Sequence, residues 1–327
     1  MPYGSLAAKL AAERLDALYK EYKDAEIIDA HSHFGKDCFW PNEGTPDEYI
    51  KMAKEKGIGA CFAMPAGCPV IKDGAKETIL SYYQLEGNEL KHYRVEKTDG
   101  KTIMVPNLVG MNPYKEANDA LYEMTQNRKD FHFDYVPLLH PKYYSEEDIA
   151  LQVKRGAKVC KIHGIACGVD PREIDPDFFR LLEKYHIKVI IHTDYSKEDN
   201  ILSRNCAMNW LEVLQKYHIR AYLAHAVRLD DKAIDIVNHD YRYIVGLGPD
   251  LLLGKDGQNY VDTDHFLEYC FDHFDENKVV FDMDYPWNIQ DRDDYRLDWK
   301  SPERVKQVLG EEQAQKVFKR NIINFVM

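Results

Sequence analysis

The chain has 327 residues, of which 45% are hydrophobic, and its 43 basic and 55 acidic side chains give a net charge of −12. A charge of that sign repels phosphate backbones and anionic lipid surfaces, so we expect neither nucleic acid nor a membrane as a partner. The sequence also contains no glycine-rich phosphate loop and no apolar run near 18 residues. These absences argue against the common nucleotide sites and against a membrane-spanning helix.

The first residues and the cysteines bear on the cellular compartment. The stretch 1–23 places charges among its leucines and alanines, which is not typical of a secretory signal. The seven cysteines are an odd number without a Cys-x-x-Cys pair, a pattern that indicates reduced thiols. The sequence therefore predicts a cytoplasmic protein, and it leaves a homo-oligomer open.

Strand and helix patterns alternate along the chain. Helical spacing of leucines and tyrosines over 5–23 predicts an N-terminal helix. Buried strands then alternate with amphipathic helices, and the strands start near residues 26, 58, 134, 157, 187, 219, 241 and 278. Eight strands in this alternation predict an α/β fold, a (β/α)8 TIM barrel that occupies 1–327 as a single domain.

Capping residues and apolar runs predict the bounds of some helices and strands. Thr45 followed by Pro46 favours the start of a helix that runs through Lys56 and stops at Gly57. The third strand is predicted over Tyr135–Leu139 from its apolar run.

The alternation of strands and helices is interrupted between residues 67 and 111. We predict a helical piece over 77–85 and a hairpin whose strands, 92–95 and 102–105, flank a turn at 98–100. Loops that follow barrel strands build the pocket, so this insertion after strand 2 is expected to form a cap that sets substrate choice. A lid, a dimer contact or a decoration on the far side are the alternatives.

The first strand ends in a His-x-His motif within Ile27–His33. Side chains alternate along a strand, so Asp29, His31 and His33 are predicted to share one face. Two imidazoles roughly 7 Å apart can converge on one zinc-sized ion. Two exposed histidines on a loop would give the same pattern.

Four later strands also end in polar residues: Lys161, His192, His225 and Asp284. Because the C-terminal strand ends of a barrel carry its chemistry, we expect these side chains to meet His31 and His33 at one rim. Each residue alone could instead be a hydrogen-bonded core residue or a cap.

Together these strand ends resemble the amidohydrolase superfamily, most of all the branch that includes aminocarboxymuconate-semialdehyde decarboxylase. The resemblance extends from strand one to Asn321 and rests on 29–33, 159–164, 190–193, 224–226 and 281–287. Relatives commonly have Gly-Ser or Gly-Thr where this chain has Asp282 and Met283. A second carboxylate therefore lies two residues before Asp284.

The resemblance implies one divalent ion, most consistent with zinc and alternatively manganese. Its implied ligands are His31, His33, His192 and Asp284. Asp284 would also act in catalysis, with His225 beside it as acid or base. These donor types suit zinc, and an open position would hold a water of lowered pKa.

The remaining candidates concern the substrate. Lys161 and His163 are predicted to contact it, although a carboxylated Lys161 that bridges two metals is the pattern of binuclear relatives. Arg228 could hold a substrate carboxylate, and a solvated surface arginine is the alternative.

Two reactions fit such a site. One is hydrolysis of an ester, lactone or amide bond of a small, anionic substrate by metal-activated water, and the other is non-oxidative decarboxylation of a small carboxylic acid. A zinc-binding scaffold without turnover is disfavoured, because purely structural sites are closed by four Cys or His ligands.

Overall fold

The computed structural model describes residues 3–36, 43–66, 70–73, 76–86, 89–98, 101–106, 114–167, 169–194, 204–247, 263–286 and 302–327. Its strands are β1 (Ile27–Lys36), β2 (Glu43–Gly44), β3 (Ile58–Pro65), β4 (Val70–Asp73), β5 (Lys76–Glu86), β6 (Glu89–Thr98), β7 (Lys101–Pro106), β8 (His132–Tyr135), β9 (Val159–Ile162), β10 (Lys188–Ile191), β11 (Ala221–Leu223), β12 (Tyr243–Gly246) and β13 (Val279–Val280). Its helices are α1 (Tyr3–Glu21), α2 (Pro46–Glu55), α3 (Lys115–Asn127), α4 (Glu146–Lys154), α5 (Gly164–Cys167), α6 (Pro176–Lys184), α7 (Ala207–Leu214), α8 (Asp231–His239), α9 (Thr263–His273), α10 (Pro302–Leu309), α11 (Glu311–Gln315) and α12 (Asn321–Val326).

Eight parallel strands form the central layer. One sheet contains β1, β3 and β8, with β2 added antiparallel at its edge, and the other contains β9 to β13 in order. Backbone hydrogen bonds link the two sheets at both edges. Lys161 N–H donates to Pro137 O at 2.8 Å, and Asp284 N–H donates to His31 O at 2.7 Å. The predicted (β/α)8 architecture is confirmed.

Alternating side chains of the strands form two separate hydrophobic cores. Ala60 and Phe62 of β3 belong to the inner core, whereas Cys61 and Ala63 belong to the outer core that packs against the helices. This division follows from the two-residue period of a strand. Both faces of β3 are therefore buried, as expected for a strand of a parallel sheet covered by helices.

The chain termini cover one end of the barrel. Tyr22, directly after α1, and Ile322 and Phe325 of α12 pack into the inner core. Lys319 supports this junction by donating hydrogen bonds to the carbonyl oxygens of Tyr22 and Ala25, at 2.8 and 2.6 Å. The predicted N-terminal helix thus exists, and it supports the barrel rather than its chemistry.

The sequence signals at Thr45 and Gly57 predicted both ends of α2 correctly. Thr45 is the N-cap of α2, where its hydroxyl accepts the Glu48 N–H at 3.4 Å. Gly57 follows the helix with φ +72°, a left-handed conformation that glycine adopts without steric cost.

Two predicted elements were wrong. The segment 77–85 is not helical but lies in β5, where its β-branched and aromatic residues pair antiparallel with β6. The third barrel strand ends at Tyr135 rather than Leu139. Pro137 has no N–H to donate to a neighbouring strand, so pairing beyond this point is reduced to a bridge between Leu138 and Lys161.

The described part of the insertion is a separate antiparallel sheet in the order β4, β5, β6 and β7. Its predicted hairpin is confirmed, since Arg94 of β6 pairs with Val105 of β7. Strand β5 contacts α5, the short helix that follows His163, and β4 contacts α3. The insertion therefore reaches the side of the barrel where β9 ends.

The five cysteines within the described residues are all buried and free, as predicted from their spacing: Cys61, Cys160, Cys167, Cys206 and Cys270. Burial raises the pKa of each thiol, which keeps it protonated and unreactive. None of the described helices is both long and apolar enough to cross a lipid bilayer.

Candidate metal centre and active site

The His-x-His motif lies at a bulge in β1. The register with β3 shifts between Asp29 and Ser32, which changes the phase of the strand. His31 and His33 converge, with their Nε2 atoms 2.9 Å apart and their ring centroids 4.8 Å apart. The predicted convergence of the two imidazoles is therefore observed.

Asp29 does not join them, so the prediction that it shares their face is wrong. Its carboxylate instead accepts hydrogen bonds from the Tyr49 hydroxyl of α2 at 2.7 Å and the Met283 N–H at 2.9 Å. Burial raises the pKa of Asp29 to about 6, although these donors oppose the change. Asp29 thus connects β1, through these hydrogen bonds, to α2 and to the segment that contains Asp284.

Asp284 approaches both histidines from the end of β13. Its Oδ1 lies 3.3 Å from His33 Nε2 and 3.7 Å from His31 Nε2. The three side chains are buried, and one ligand atom from each lies within 4.8 Å of the others. Two imidazoles and a carboxylate are donors that zinc and other first-row divalent ions accept. The group therefore fits a metal ion.

The backbone sets the tautomer of one ligand. His33 Nδ1 donates to the carbonyl oxygen of Pro65 at 2.8 Å, and a carbonyl can only accept. In the neutral ring the lone pair is then on Nε2, the atom that faces Asp284. Hydrogen bonds of this kind commonly orient histidine ligands.

Lys161 of β9 lies against this group. Its Nζ is 3.0 Å from His31 Nε2, and its side chain is 1% exposed. Burial lowers the pKa of Lys161 to about 8, while the charges of Asp284 and Asp282 oppose the change. The amine therefore changes charge near physiological pH.

A second histidine cluster lies at the ends of three neighbouring strands, β9, β10 and β11. The rings of His163 and His192 stack at 4.1 Å, and His225 Nε2 lies 3.0 Å from His192 Nδ1. Burial, and then neighbouring positive charge, lowers the pKa of all three well below the usual range. The rings are consequently neutral at pH 7, the state that binds metal or donates a hydrogen bond to a carbonyl oxygen.

The structure does not gather every predicted ligand into one group. Among the described residues, the close set contains His31, His33 and Asp284, while His192 contacts His163 and His225 instead. His225 is near the metal group, with its ring centroid 6.0 Å from that of His31. The role of His192 as a further ligand stays a prediction.

His225 begins an unusual turn. Residues 225–229 all have positive φ, between 46° and 65°, although none is glycine. Left-handed conformations cost roughly 1–2 kcal/mol for each such residue. Backbone strain of this kind clusters at functional sites, where the surrounding structure holds it.

The same turn positions Arg228. Its Nε donates to the carbonyl oxygen of Thr193 at 2.9 Å, and Thr193 Oγ1 donates to Ala224 O at 2.6 Å. Arg228 is thus a half-buried residue tied to the end of β10 rather than a freely solvated surface arginine.

The sequence analysis did not identify Tyr222 and Gly246, two residues next to the metal group. The Tyr222 hydroxyl of β11 donates to Asp282, and a Cβ at Gly246 of β12 would collide with both groups. Asp282 departs from the residue common in relatives, and the sequence does not indicate its partner. A polar residue on the inward face of a buried strand was the available signal for Tyr222.

A second group with metal-binding side chains lies at the other end of the barrel: Glu21, His132 and Asp134. Lys158 already supplies a cation to it, since its Nζ donates to Glu21 at 2.6 Å and to Asp134 at 3.4 Å. The group is explained as an ion-pair network between α1, β8 and the start of β9.

No protein-family model matches the chain, and no curated protein matches it in sequence. Solved structures do match it. An enamidase, described as a member of the amidohydrolase superfamily, has a TM-score of 0.56 at 14% identity, over 91% of this chain and 66% of that one. An uncharacterised TIM-barrel protein, Bb4693 from Bordetella bronchiseptica, has a TM-score of 0.55 at 10% identity, over 92% and 98%.

A dihydroorotase from Campylobacter jejuni has a TM-score of 0.51 at 15% identity, over 91% of this chain and 82% of that one. The chain shares their fold. At these identities the likeness concerns architecture, because one barrel fold supports many chemistries. The residues at the strand ends must carry the functional argument.

Proposed function

We propose that this protein is a metal-dependent hydrolase of the amidohydrolase superfamily that cleaves an ester, lactone or amide bond of a small anionic substrate. The observation that carries the proposal is the convergence of His31 and His33 of β1 with Asp284, which follows β13. The fold shared with an enamidase and a dihydroorotase supports it.

The proposed metal residues are His31, His33, His192 and Asp284, with one ion for each chain. A divalent cation such as zinc, or manganese as the alternative, supplies a Lewis acid and ionises water near neutral pH. His33 is held by Pro65 O for this role, and burial keeps His192 neutral.

Asp284 and His225 are the proposed catalytic side chains. The Asp284 carboxylate can accept the proton that the attacking water loses. His225 is neutral, so an N–H of its ring can donate to the oxygen that gains charge as the carbonyl is attacked.

Lys161, His163 and Arg228 are proposed to bind the substrate. Lys161 and Arg228 carry positive charge at neutral pH and approach the site from different strand ends. Lys161 lies against His31, and Arg228 lies close enough to His192 and His225 to affect their pKa. Two cations near these strand ends favour a substrate that carries a carboxylate or a similar anion.

The experiment combines metal analysis with a substrate panel. Chelated protein is assayed with and without Zn²⁺ or Mn²⁺ on esters, lactones and amides that bear a carboxylate, with products and CO₂ release followed together. We expect about one metal per chain and hydrolysis that depends on it. Less than about 0.3 equivalents, with no activity recovered on adding either ion, would contradict the proposal. Release of CO₂ without hydrolysis would favour the decarboxylase, the activity of the branch that the sequence resembles.

Lys161→Ala tests the number of metals and the role of the amine. We expect metal content to stay near one and KM for an anionic substrate to rise about 10–100-fold, the value of a charge-assisted hydrogen bond. In the unsubstituted protein, KM should rise with pH as the amine loses its proton, because the neutral amine no longer attracts the anion.

Lys188→Ala is the matched control, because burial also lowers the pKa of Lys188 to about 8 but this lysine begins β10 at the opposite end of the barrel. Its KM should be unchanged. Two metals per chain, together with rescue of Lys161→Ala by short carboxylic acids, would instead indicate a carboxylated lysine bridge.

The insertion over 67–111 is proposed to cap the site, since β5 contacts the helix that follows His163. Shortening the predicted turn at 98–100 should change KM or substrate preference and leave metal content unchanged, because the proposed ligands lie on β1, at the end of β10 and after β13. Steady-state kinetics on several substrates and metal analysis of the same preparation measure both effects. Unaltered kinetics on every substrate would exclude the cap.

The single-domain organisation, a cytoplasmic location and a homo-oligomeric state stay predictions from the sequence.

A further inference from the structure

A buried carboxylate lies behind the proposed metal ligand His31. Asp282 is 0% exposed, and its Oδ2 is 3.9 Å from His31 Nδ1. The opposite ring nitrogen, Nε2, faces His33 and Asp284. One imidazole therefore has a carboxylate on one side and the proposed metal group on the other.

Asp282 is itself held by a specific partner. The Tyr222 hydroxyl donates to Oδ2, and the Tyr222 ring meets the His31 ring edge to face at 6.0 Å. Tyr222 is also fully buried. The carboxylate cannot relax into solvent, so its position relative to His31 is set by β11.

Gly246 provides the space for this pair. A Cβ at this position of β12 would collide with the Tyr222 hydroxyl and with Asp282. The phenol thus comes from β11, the space from Gly246 of β12 and the carboxylate from the segment that follows β13.

A buried carboxylate is costly unless it is paired. Negative charge near Nδ1 stabilises the tautomer that is protonated there, which leaves the lone pair on Nε2 for a metal. It also stabilises the positive charge that the ring gains when Nε2 binds a cation. Carboxylates that accept a hydrogen bond from a histidine ligand typically change metal affinity 10–100-fold. At 3.9 Å, Asp282 acts on His31 through its charge.

We propose that Asp282, held by Tyr222, is a positioning residue that orients His31 and fixes its tautomer for metal binding. The proposal rests on the proposed metal site. Asp282 itself contacts neither substrate nor metal in this arrangement, and its effect on catalysis passes through His31.

The test measures metal binding directly. Zn²⁺ affinity is determined by competition with a chromophoric chelator, and the visible absorption spectrum of the Co²⁺-loaded protein reports ligand geometry. We expect Asp282→Asn to weaken Zn²⁺ binding about 10–100-fold and to change the Co²⁺ spectrum. Tyr222→Phe should act in the same direction by a smaller factor.

Tyr243→Phe is the matched control. Tyr243 is a buried tyrosine on the next strand, but it belongs to the outer core, so its hydroxyl does not face Asp282. Its affinity and spectrum should match those of the unsubstituted protein. The melting temperature of each metal-free variant separates a packing defect from an effect on the ligand.

The outcomes are distinguishable. Zn²⁺ binding within twofold of the unsubstituted protein and an unchanged Co²⁺ spectrum in Asp282→Asn would overturn this inference and leave the proposed function standing. An unsubstituted protein that binds no metal would overturn both. If Asp282→Asn does not fold, Tyr222→Phe decides, since unchanged affinity and spectrum in that variant also contradict the inference.

Discussion

Replacement of both His31 and His33 by alanine should abolish metal retention and lower hydrolysis about 1,000-fold or more. A metal ion contributes several kcal/mol of transition-state stabilisation, and about 4 kcal/mol corresponds to that factor. We expect the barrel to remain folded, because the backbone pairing of β1 with β3 does not require either imidazole. Metal analysis, kcat/KM and circular dichroism are the measurements.

The control for this double variant removes two histidines elsewhere. His218 and His239 are exposed, and neither lies in the metal group. The variant His218→Ala with His239→Ala should keep the metal and the activity of the unsubstituted protein. Stoichiometric metal in the His31 and His33 variant would show that the ligand set is wrong.

Asp284→Asn is the second substitution with a large expected effect. The carboxamide keeps the shape of the side chain but cannot accept a proton, and general-base catalysis contributes about 10²–10⁴-fold. We therefore expect kcat to fall by that range. Metal affinity should also fall, because an amide oxygen is a weaker ligand than a carboxylate, so kcat is measured at saturating Zn²⁺.

Asp240→Asn is its matched control. Asp240 is also partly buried and hydrogen-bonded, but its partner is Arg242, near the start of β12 at the opposite end of the barrel. Its kcat should not change. An Asp284→Asn variant that keeps full kcat at saturating metal would exclude Asp284 as the base and would favour His225 for that role.

Much of the fold follows from local sequence. The β-branched and apolar runs specify seven of the eight barrel strands, because a strand buried on both faces needs such residues. The third strand, His132–Tyr135, has no such run and was predicted several residues too late. Thr45 and Gly57 set the ends of α2, since capping depends on a side-chain oxygen and on a backbone that glycine tolerates. The His-x-His spacing likewise indicates two imidazoles that can meet.

Other features needed the tertiary structure. Whether 77–85 forms a helix or a strand depends on its pairing with β6, a partner that local periodicity does not specify. The bulge in β1 decides that Asp29 faces Tyr49 while His31 faces the metal group, and one inserted residue reverses the phase of a strand.

The sequence by itself determined the order of elements, the barrel and the residue types at its strand ends, because these depend on burial and on short-range geometry. Only the tertiary structure decided which of those residues touch. Asp282 meets Tyr222 across 60 positions of the chain, and Gly246 leaves room for the pair. Contacts of this kind depend on strand register and side-chain volume across three strands, and neither is encoded within any single segment.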